Sequence, residues 1–413
     1  MLVLFRFKNY GPFKEEACID MRAIKAYKEH PNNLIEPESP NSYIKIASIY
    51  GANASGKSSF VDAYWTFRNV VRSSFTLNEK MHSNETDAGS VLGSYYYPFF
   101  FDDKSFDSNT EFESIFIENE TEYRYGFSYN EKKIEYEWLY RKPLKTGRTS
   151  MIIERSPEDG FLLGASVKKS LEKYKADIDD DVLALSFFSS LKLRTTVFSD
   201  TLKCITSIIP WKKPITSSRD DIIGISLADM DENEKKHLMA FLSAIDTGIK
   251  DIKVARNNNN KKIEIYTYHL NAFKSLTEVP ISIESDGTIN AIALYSLIKL
   301  SIDSNHGLLI DEMNLQLHPL LFKYLIDLFN RESKTAQLIY TTHDTTLLDK
   351  RYMRRDQVWF VEKNKEGESS LYSLAEYRVR NDSSFEKDYL GGVYGAIPIL
   401  SDFSFEEAND GEK

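Results

Sequence analysis

The chain has 413 residues, with 52 lysines and arginines against 62 aspartates and glutamates, and a formal net charge of −10. Hydrophobic residues make up 42% of the chain, and at roughly 150 residues per domain the length allows two or three structural units. This composition excludes a chain that is disordered throughout. The acidic average excludes a surface that is basic all over, but a local basic groove for nucleic acid stays open.

Neither a membrane span nor a secretion signal is predicted. No segment approaches the ~18 consecutive apolar residues that a spanning helix needs, and Arg6 and Lys8 interrupt the apolar start of the chain. The two cysteines, Cys18 and Cys204, are too few and too isolated for a disulfide framework or a zinc site. We therefore expect a cytoplasmic protein.

Hydrophobic periodicity predicts the elements of the first half. In chain order they are strands at 2–8, 16–21 and 44–50, a helix from Ser58 to Val71, and an antiparallel meander from Tyr95 to Tyr140. Asn9–Pro12 is typical of the turn between the first two strands, and Asn130–Glu131 of a turn within the meander. The helix is indicated by apolar residues at three- and four-residue spacing.

The second half begins with a segment of helical character between about Ala165 and Lys250, in which 171–191 and 232–249 are the clearest amphipathic stretches. The elements predicted after it are a loop at Asn257–Asn260, strands at 263–270 and 279–283, a helix at 289–302, and strands at 307–310, 337–342 and 357–363. This order predicts a helical unit inserted into an α/β protein.

The strongest motif is GANASGKS, from Gly51 to Ser58, which fits G-x-x-x-x-G-K-[ST] between an apolar strand and a helix. Its glycines let backbone N–H groups face inward, and the helix N-terminus adds partial positive charge, which together favour phosphate binding. Lys57 would neutralise the β- and γ-phosphates, and the Ser58 hydroxyl would bind Mg²⁺. A chance glycine turn is the alternative, and the strand–loop–helix context argues against it.

Two adjacent carboxylates, Asp311 and Glu312, end the apolar strand 308–310. Two charges at the end of a buried strand cost desolvation unless something uses them, and a metal ion with an attacking water does. Asp311 would hold Mg²⁺, and Glu312 would polarise water for in-line attack on the γ-phosphate. The alternative is a strand that simply ends at the surface.

The distance along the chain from Ser58 to Asp311 requires a large insertion between the two motifs. Guanine specificity has no support, because the downstream Asn364-Lys365 is followed by Glu366-Gly367 rather than the x-Asp that a guanine motif needs.

The ordered set of motifs resembles the ABC-type ATPases of the RecF, SMC and OLD group. The matching segments are the opening hairpin 5–21, the Walker A motif 51–59, the signature-like Ser285–Thr288, the Walker B and D-loop segment 308–319, and the switch-histidine segment Thr341–Asp344. The meander and the tail Tyr389–Pro398 resemble stand-alone ATPases of anti-phage and restriction-linked operons, the RloA and PARIS-type proteins.

This resemblance implies an α/β fold class, a P-loop ABC-type ATPase head with an antiparallel β meander and an inserted helical subdomain. The implied domains are an ATPase lobe at 1–150, a helical insertion at 151–252 and a second ATPase lobe at 253–413. The implied cofactors are ATP and Mg²⁺. The implied ligands of ATP are Gly51, Asn53, Ala54, Ser55, Gly56, Lys57, Ser58, Ser59, Ser285 and Gly287.

In this family two subunits pair head to tail, so Ser285 and the backbone of Gly287 would contact the γ-phosphate that the other copy's P-loop holds. His343 would sense the same phosphate, although a satisfied histidine at a strand end is the alternative for any lone histidine. His318, before Pro319, is expected to be structural or at the subunit interface. The glutamine that usually ligates Mg²⁺ between Walker A and signature is missing, because every glutamine follows the signature.

The leading hypothesis is an ATPase subunit of an anti-phage complex that forms dimers or larger assemblies of itself and controls a partner effector, which the resemblance implies is a nuclease. Two alternatives stay open: a RecF-like clamp that binds DNA, and a slow or non-catalytic nucleotide-bound scaffold. The basic residues Lys132, Lys133, Arg141, Lys142, Lys145 and Arg148 could contact nucleic acid or protein, but a solvated face is the favoured interpretation.

Overall fold

The structure is a computed structural model. It describes residues 1–39, 41–83, 92–212, 223, 227, 230–256, 263–379 and 383–398, with only the backbone described at 76–83 and 256. The loop predicted at Asn257–Asn260 lies outside the described residues. No helix within these ranges is long and apolar enough to cross a bilayer.

Eighteen strands and nine α-helices are described within these ranges. The strands are β1 (Leu2–Lys8), β2 (Ala17–Asp20), β3 (Leu34–Ile35), β4 (Tyr43–Ile44), β5 (Ile46–Tyr50), β6 (Thr110–Glu118), β7 (Thr121–Tyr129), β8 (Ile134–Pro143), β9 (Ser150–Ser156), β10 (Gly160–Leu163), β11 (Ile208–Trp211), β12 (Asp251–Arg256), β13 (Ile263–Leu270), β14 (Leu276–Pro280), β15 (Gly307–Ile310), β16 (Leu338–Thr341), β17 (Val358–Lys363) and β18 (Ser369–Ser373). The helices are α1 (Lys57–Ser83), α2 (Asp103–Phe106), α3 (Lys168–Leu171), α4 (Ala184–Ser190), α5 (Val197–Thr206), α6 (Glu232–Ala244), α7 (Asp286–Ser304), α8 (Pro319–Glu332) and α9 (Phe385–Leu390).

The central sheet has the order β11-β15-β16-β5-β17-β18, and all its neighbours are parallel except the last pair. Its short strands are almost entirely apolar, as expected for strands that are covered on both faces. Alternate residues of β5 point to opposite sides, with Ala47 and Ile49 in one core and Ile46 and Tyr50 in the other. The carboxyl ends of its five parallel strands therefore meet at one edge.

The first core lies between the central sheet, α1 and a seven-stranded antiparallel sheet of order β10-β9-β8-β7-β6-β1-β2. Its centre is aromatic: Phe5 packs against Tyr64 of α1 with ring centroids 4.9 Å apart, and Phe67 stacks on Phe127 at 5.9 Å. The predicted meander is confirmed from Thr110 onward as part of this sheet, and its Asn130–Glu131 turn joins β7 to β8, whereas residues 96–109 form no strand and contain the short helix α2. The opening hairpin pairs with the meander through β1 and β6.

The second core covers the other face of the central sheet, and α7 and α8 contribute most of its helical side chains. A third sheet of order β12-β13-β14 leads into α7. These layers confirm the predicted α/β fold class, a largely parallel central sheet accompanied by an antiparallel β meander.

The segment predicted as helical is mixed, and the amphipathic stretch 171–191 does not form one helix. The backbone carbonyls of 179–182 are bound from the neighbouring sheet: Ile134 N–H donates to Asp180 O at 2.9 Å, and the Arg155 guanidinium donates to Val182 O at 3.0 Å. The fully buried Glu137 carboxylate then accepts the first two N–H groups of α4. These tertiary contacts replace the helical bonds of the middle of the segment, so that only α4 and shorter turns remain helical.

The domain boundaries at 150 and 252 stay a prediction. The strands nearby show where elements belong: β9 and β10 continue the antiparallel sheet past residue 150, and β11, within the predicted helical segment, is the edge strand of the central sheet. The predicted amphipathic stretch at 232–249 begins as α6, which starts with a capping box of Asp231 and Glu234.

A buried ion pair anchors the loop after β2. The Arg354 side chain is 1% exposed, and it donates to the Asp356 carboxylate at 2.7 and 2.9 Å. Its remaining N–H groups donate to the carbonyl oxygens of Ile24, Tyr27 and Glu29. Removing the guanidinium would leave the buried Asp356 carboxylate and three partly buried carbonyl hydrogen bonds without their donor.

We therefore expect Arg354→Met to lower the free energy of unfolding by about 3–5 kcal/mol. The control is Arg351→Met, which removes an exposed arginine paired with Asp349 and should leave the free energy of unfolding nearly unchanged. Calorimetric unfolding of both variants checks this, and equal midpoints would contradict the role assigned to the buried pair.

Candidate functional site

The loop from Gly51 to Ser58 joins β5 to α1 and is packed tightly from behind. Gly56 has φ +115°, and a Cβ there would lie 2.8 Å from Ser369 Oγ. A Cβ on Gly51 would lie 2.3 Å from the carbonyl oxygen of Val361 in β17. Both glycines are therefore required by contact with β17 and β18, in addition to the turn itself.

Ser369, which contacts this loop, was missed by the sequence analysis. Its hydroxyl donates to Ser55 O at 2.6 Å, and its N–H donates to Pro12 O at 2.7 Å, which ties the loop to the turn between β1 and β2. Serine in a short strand far along the chain carries no sequence signal for this contact.

Lys57 is 5% exposed at the start of α1. Its ammonium donates to the carbonyl oxygens of Gly51 and Ala52, both at 2.9 Å. Burial lowers the pKa of Lys57 to about 8, although the charges of Asp311 and Glu312 act in the opposite direction. Among the described residues no carboxylate forms an ion pair with Lys57, so this buried cation is suited to an anionic ligand.

Ser55 supports the same conclusion, because its hydroxyl is buried and has no hydrogen-bond partner. Asn53 and Ala54 form the exposed tip of the loop, and Ser58 and Ser59 follow in the first turn of α1. Ser59 lies against the β1–β2 turn, since a Cβ on Gly11 would lie 3.7 Å from the Ser59 Cβ.

Asp311 and Glu312 follow β15 and share one partner. The Thr341 hydroxyl donates to Asp311 Oδ1 at 2.6 Å and accepts the Glu312 N–H at 2.7 Å. Glu312 has φ +46°, an unfavourable conformation for a residue with a side chain, and this hydrogen bond helps to hold it. The alternative of a strand that simply ends at the surface does not account for this arrangement.

His343 follows β16, the strand next to β15. Its Nε2 lies 4.0 Å from Glu312 Oε1. Burial lowers the pKa of His343, and the charge of Lys57 lowers it further. The neighbouring Thr342 hydroxyl donates to Asn314 Oδ1 at 2.8 Å, which joins this strand end to the segment after the acidic pair.

The signature-like segment begins α7. Ser285 is the N-cap, and its hydroxyl accepts the Thr288 N–H at 3.1 Å. Gly287 packs against the loop after the acidic pair, because a Cβ there would lie 3.0 Å from Gln316 O. The described hydrogen bonds of the Ser285 hydroxyl are made to Thr288 within the same helix start, and none reaches the P-loop of the same copy.

Lys212 was also missed by the sequence analysis. It follows β11, which pairs with β15 so that Trp211 lies opposite Ile310, and it therefore comes beside the Asp311 position. Its ammonium forms an ion pair with Asp62 and lies 4.8 Å from the Trp65 ring. Asp62 is one helical turn after Ser58, so Lys212 borders the site. Its ammonium cannot serve as the oxygen ligand that a metal ion would need there.

The structure shows where two other predicted features lie, His318 and the run of basic residues. His318 caps α8 by accepting the Leu320 N–H at 3.2 Å, which is a structural role. The basic run is divided, because Lys132 and Lys133 precede β8 and Lys145 and Arg148 follow it, at opposite ends of a strand that spans roughly 30 Å. Lys142 is paired with Glu122. These residues do not form one basic patch.

A comparison with protein families matches residues 46–349 to the family described as "AAA domain, putative AbiEii toxin, Type IV TA system". The chain belongs to this family. The match spans more than half of the chain and includes the loop at 51–58, the acidic pair and His343. Together with the P-loop between β5 and α1, it shows that the protein is a P-loop ATPase with a domain of the AAA type.

Solved structures that are similar to this ATPase include an SMC head bound to the C-terminal winged-helix domain of ScpA, with 15% identity, a TM-score of 0.41, and coverage of 94% of this chain and 99% of that one. The SMC head domain from Thermotoga maritima has 15% identity, a TM-score of 0.40, and coverage of 90% and 98%. The comparison with curated proteins found no match.

The donors around the ATPase site fit Mg²⁺ held jointly with phosphates. Within the described residues no cluster of three or more histidines, cysteines, aspartates or glutamates could hold a metal alone. Mg²⁺ is commonly bound by one or two protein oxygens, with waters and phosphate oxygens completing its shell. The Ser58 hydroxyl and the Asp311 carboxylate are the protein oxygens that we assign to it.

Nucleotide binding should weaken as the pH rises, because the bound phosphates favour the charged form of Lys57 whereas the free site gives it a pKa of about 8. Above this pH we expect the affinity for a non-hydrolysable ATP analogue to fall by up to about tenfold per pH unit. Titration calorimetry between pH 7 and pH 9.5 measures it.

Lys57→Met is the control, because it keeps the ionisation of the nucleotide and removes that of the lysine. Its binding should be weak and almost independent of pH. A wild-type affinity that stays constant across this range would contradict the assignment of Lys57 to the phosphates.

Proposed function

We propose that this protein is an ATP-hydrolysing assembly switch, in which two copies pair head to tail across ATP and the assembly controls a partner effector in anti-phage defence. The observation that carries the proposal is the meeting of Lys57, Asp311, Glu312 and His343 at one edge of the central sheet. A buried cation, a metal-binding carboxylate, a candidate base and a histidine are the groups that phosphoryl transfer needs.

Each group has a distinct task in hydrolysis. Lys57 and the loop N–H groups bind the β- and γ-phosphates and counter their charge. Glu312 orients the attacking water and accepts hydrogen bonds from it, and the shared Thr341 hydroxyl keeps its backbone in place. His343, neutral because burial lowers its pKa, is able to hydrogen-bond a γ-phosphate oxygen. When bound, Mg²⁺ supplies charge neutralisation and orients the phosphates.

The pairing of two copies is supported by the position of the signature-like segment. Ser285 and Gly287 begin a helix of 19 residues, and their N–H groups and the helix dipole favour an anion. Gly287 packs against Gln316 in the loop that follows the acidic pair. A phosphate that is held by the P-loop of a second copy and contacted by Gly287 would therefore be coupled to the acidic pair after β15.

The effector is a separate protein in this proposal. In this proposal the ATPase supplies assembly and release, and cleavage of nucleic acid would come from the partner. The family description names a putative toxin of a toxin–antitoxin system, and a defence role for this chain is in keeping with it.

The enzyme claim is tested by Glu312→Gln, which keeps the shape of the side chain and removes its basicity. We expect phosphate release to fall by about 10²-fold or more, while nucleotide binding is retained. The matched control is Glu332→Gln at the exposed end of α8, which should hydrolyse ATP at the wild-type rate. Equal, near-zero rates for wild type and Glu312→Gln would remove the enzyme claim and favour a nucleotide-bound scaffold.

The pairing claim is tested by Ser285→Asp. Aspartate also caps helices, so α7 should remain intact, but its charge would repel the phosphates of the second copy. We expect the ATP-dependent dimer to disappear in light scattering while each single chain still binds nucleotide. Ser384→Asp changes the N-cap of α9 in the same way and should leave the dimer unaffected. A Ser285→Asp variant that still dimerises would contradict the head-to-tail arrangement.

A further inference from the structure

The turn between β13 and β14 carries an exposed apolar surface, which we call the hairpin tip. Phe273 is 90% exposed, and Leu270 and Leu276, which pair across the two strands, are both more than half exposed. Ile283, between β14 and α7, is 71% exposed as well. Several large apolar side chains held in water near one another indicate a contact surface.

The hairpin tip is held in a defined conformation by Asn271. The side-chain Oδ1 of Asn271 accepts the N–H groups of Phe273 and Ser275 at 2.9 and 3.1 Å, and its side-chain Nδ2 donates to the hydroxyls of Ser275 and Thr277. Phe273 therefore projects from an ordered turn, and little conformational entropy of the backbone would be lost when it docks.

The hairpin tip is joined to the signature-like segment by Glu284. Its carboxylate lies 2.7 Å from His269 Nε2 and accepts a hydrogen bond from the Thr267 hydroxyl. His269 precedes Leu270 of the tip, and Glu284 precedes Ser285. A partner that touches Ser285 therefore comes close to the tip.

A second exposed apolar surface, which we call the aromatic patch, lies beside the P-loop. It consists of Tyr97, Phe100, Phe101 and Phe106, and Phe101 is 75% exposed. The Gly11 N–H donates to Tyr97 O at 2.6 Å, next to Ser59, and the Phe101 ring packs on Gly367, two residues before the Ser369 that binds the loop.

We propose that the hairpin tip of one copy docks on the aromatic patch of a second copy. The inference rests on the head-to-tail pairing of the proposed function, which brings the signature-like segment of each copy to the P-loop of the other. Since the tip adjoins one and the patch adjoins the other, the same two-fold symmetry forms this contact twice. One arrangement then covers both exposed surfaces.

The charges around the two surfaces are complementary. Lys274 lies at the hairpin tip, exposed between Phe273 and Leu276. At the aromatic patch Asp102 is already paired with Lys14 at 3.7 Å, whereas no ion pair of Asp103 or Asp107 is found among the described residues, and Lys104 is the cation within the same segment. An apolar centre with oppositely charged rims is the usual composition of a specific interface. The surface that fits the hairpin tip is therefore the aromatic patch of a second copy of this chain.

Charge-reversed partners test the contact directly. We expect Phe273→Lys alone and Phe101→Glu alone each to weaken ATP-dependent dimerisation at least about tenfold, because both copies lose an aromatic anchor. A mixture of the two single variants should recover dimers, since the mixed pair combines one Lys–Glu contact with one native contact. Light scattering with a non-hydrolysable ATP analogue measures the affinities, and Leu144→Lys, an exposed leucine outside both surfaces, is the control.

The outcomes separate this inference from the proposed function. If wild type dimerises and Ser285→Asp does not, but Phe273→Lys dimerises normally, only the docking of the tip is overturned. Failure of the mixture to recover dimers also overturns it. A Phe101→Glu chain that no longer binds nucleotide as a monomer would place the patch in the nucleotide site and would contradict the inference. If wild type forms no ATP-dependent dimer, the proposed pairing falls first.

Discussion

The candidate site depends on one constraint, the parallel pairing of β11, β15, β16, β5 and β17. Parallel strands end at the same edge of a sheet, so segments far apart in the chain deliver their next residues to one place. The P-loop follows β5, the acidic pair follows β15, and His343 follows β16. None of these residues has to be near another in sequence. The long insertion between the first and second of them keeps this arrangement, since its own strand β11 joins the sheet parallel to β15.

The same constraint concentrates charge where solvation is poor. Lys57 is buried with carbonyl groups as its hydrogen-bond acceptors, and burial lowers its pKa despite two carboxylates nearby. Glu312 is held with a positive φ by Thr341, which also binds Asp311. A structural network would be expected to neutralise these groups completely. Lys57 has carbonyl oxygens as its acceptors and no ion pair among the described residues, and this is the physical basis for proposing that the site binds a triphosphate.

The antiparallel sheet and the third sheet supply the surfaces around this site. The β1–β2 turn of the former touches Ser59, and the last strand of the latter ends at Pro280, shortly before Ser285. Exposed apolar residues lie beside each, in the segment before β6 and at the turn between β13 and β14. The structure therefore places a nucleotide-binding edge and a signature-like helix start on separate parts of one chain, each next to an apolar surface, which is the arrangement that pairing of two copies would use.

The sequence by itself determined the P-loop, the acidic pair, the meander and the α/β fold class, because each depends on local spacing and on burial patterns within a few residues. Only the tertiary structure decided the conformation of residues 171–191, where hydrogen bonds from Ile134 and Arg155 to backbone carbonyls prevent a continuous helix. It also decided the contacts of Ser369, Thr341 and Lys212, since ordinary serine, threonine and lysine residues acquire these roles only through strand pairing. Long-range pairing leaves no periodic trace in the chain, and this is why those contacts could not be predicted.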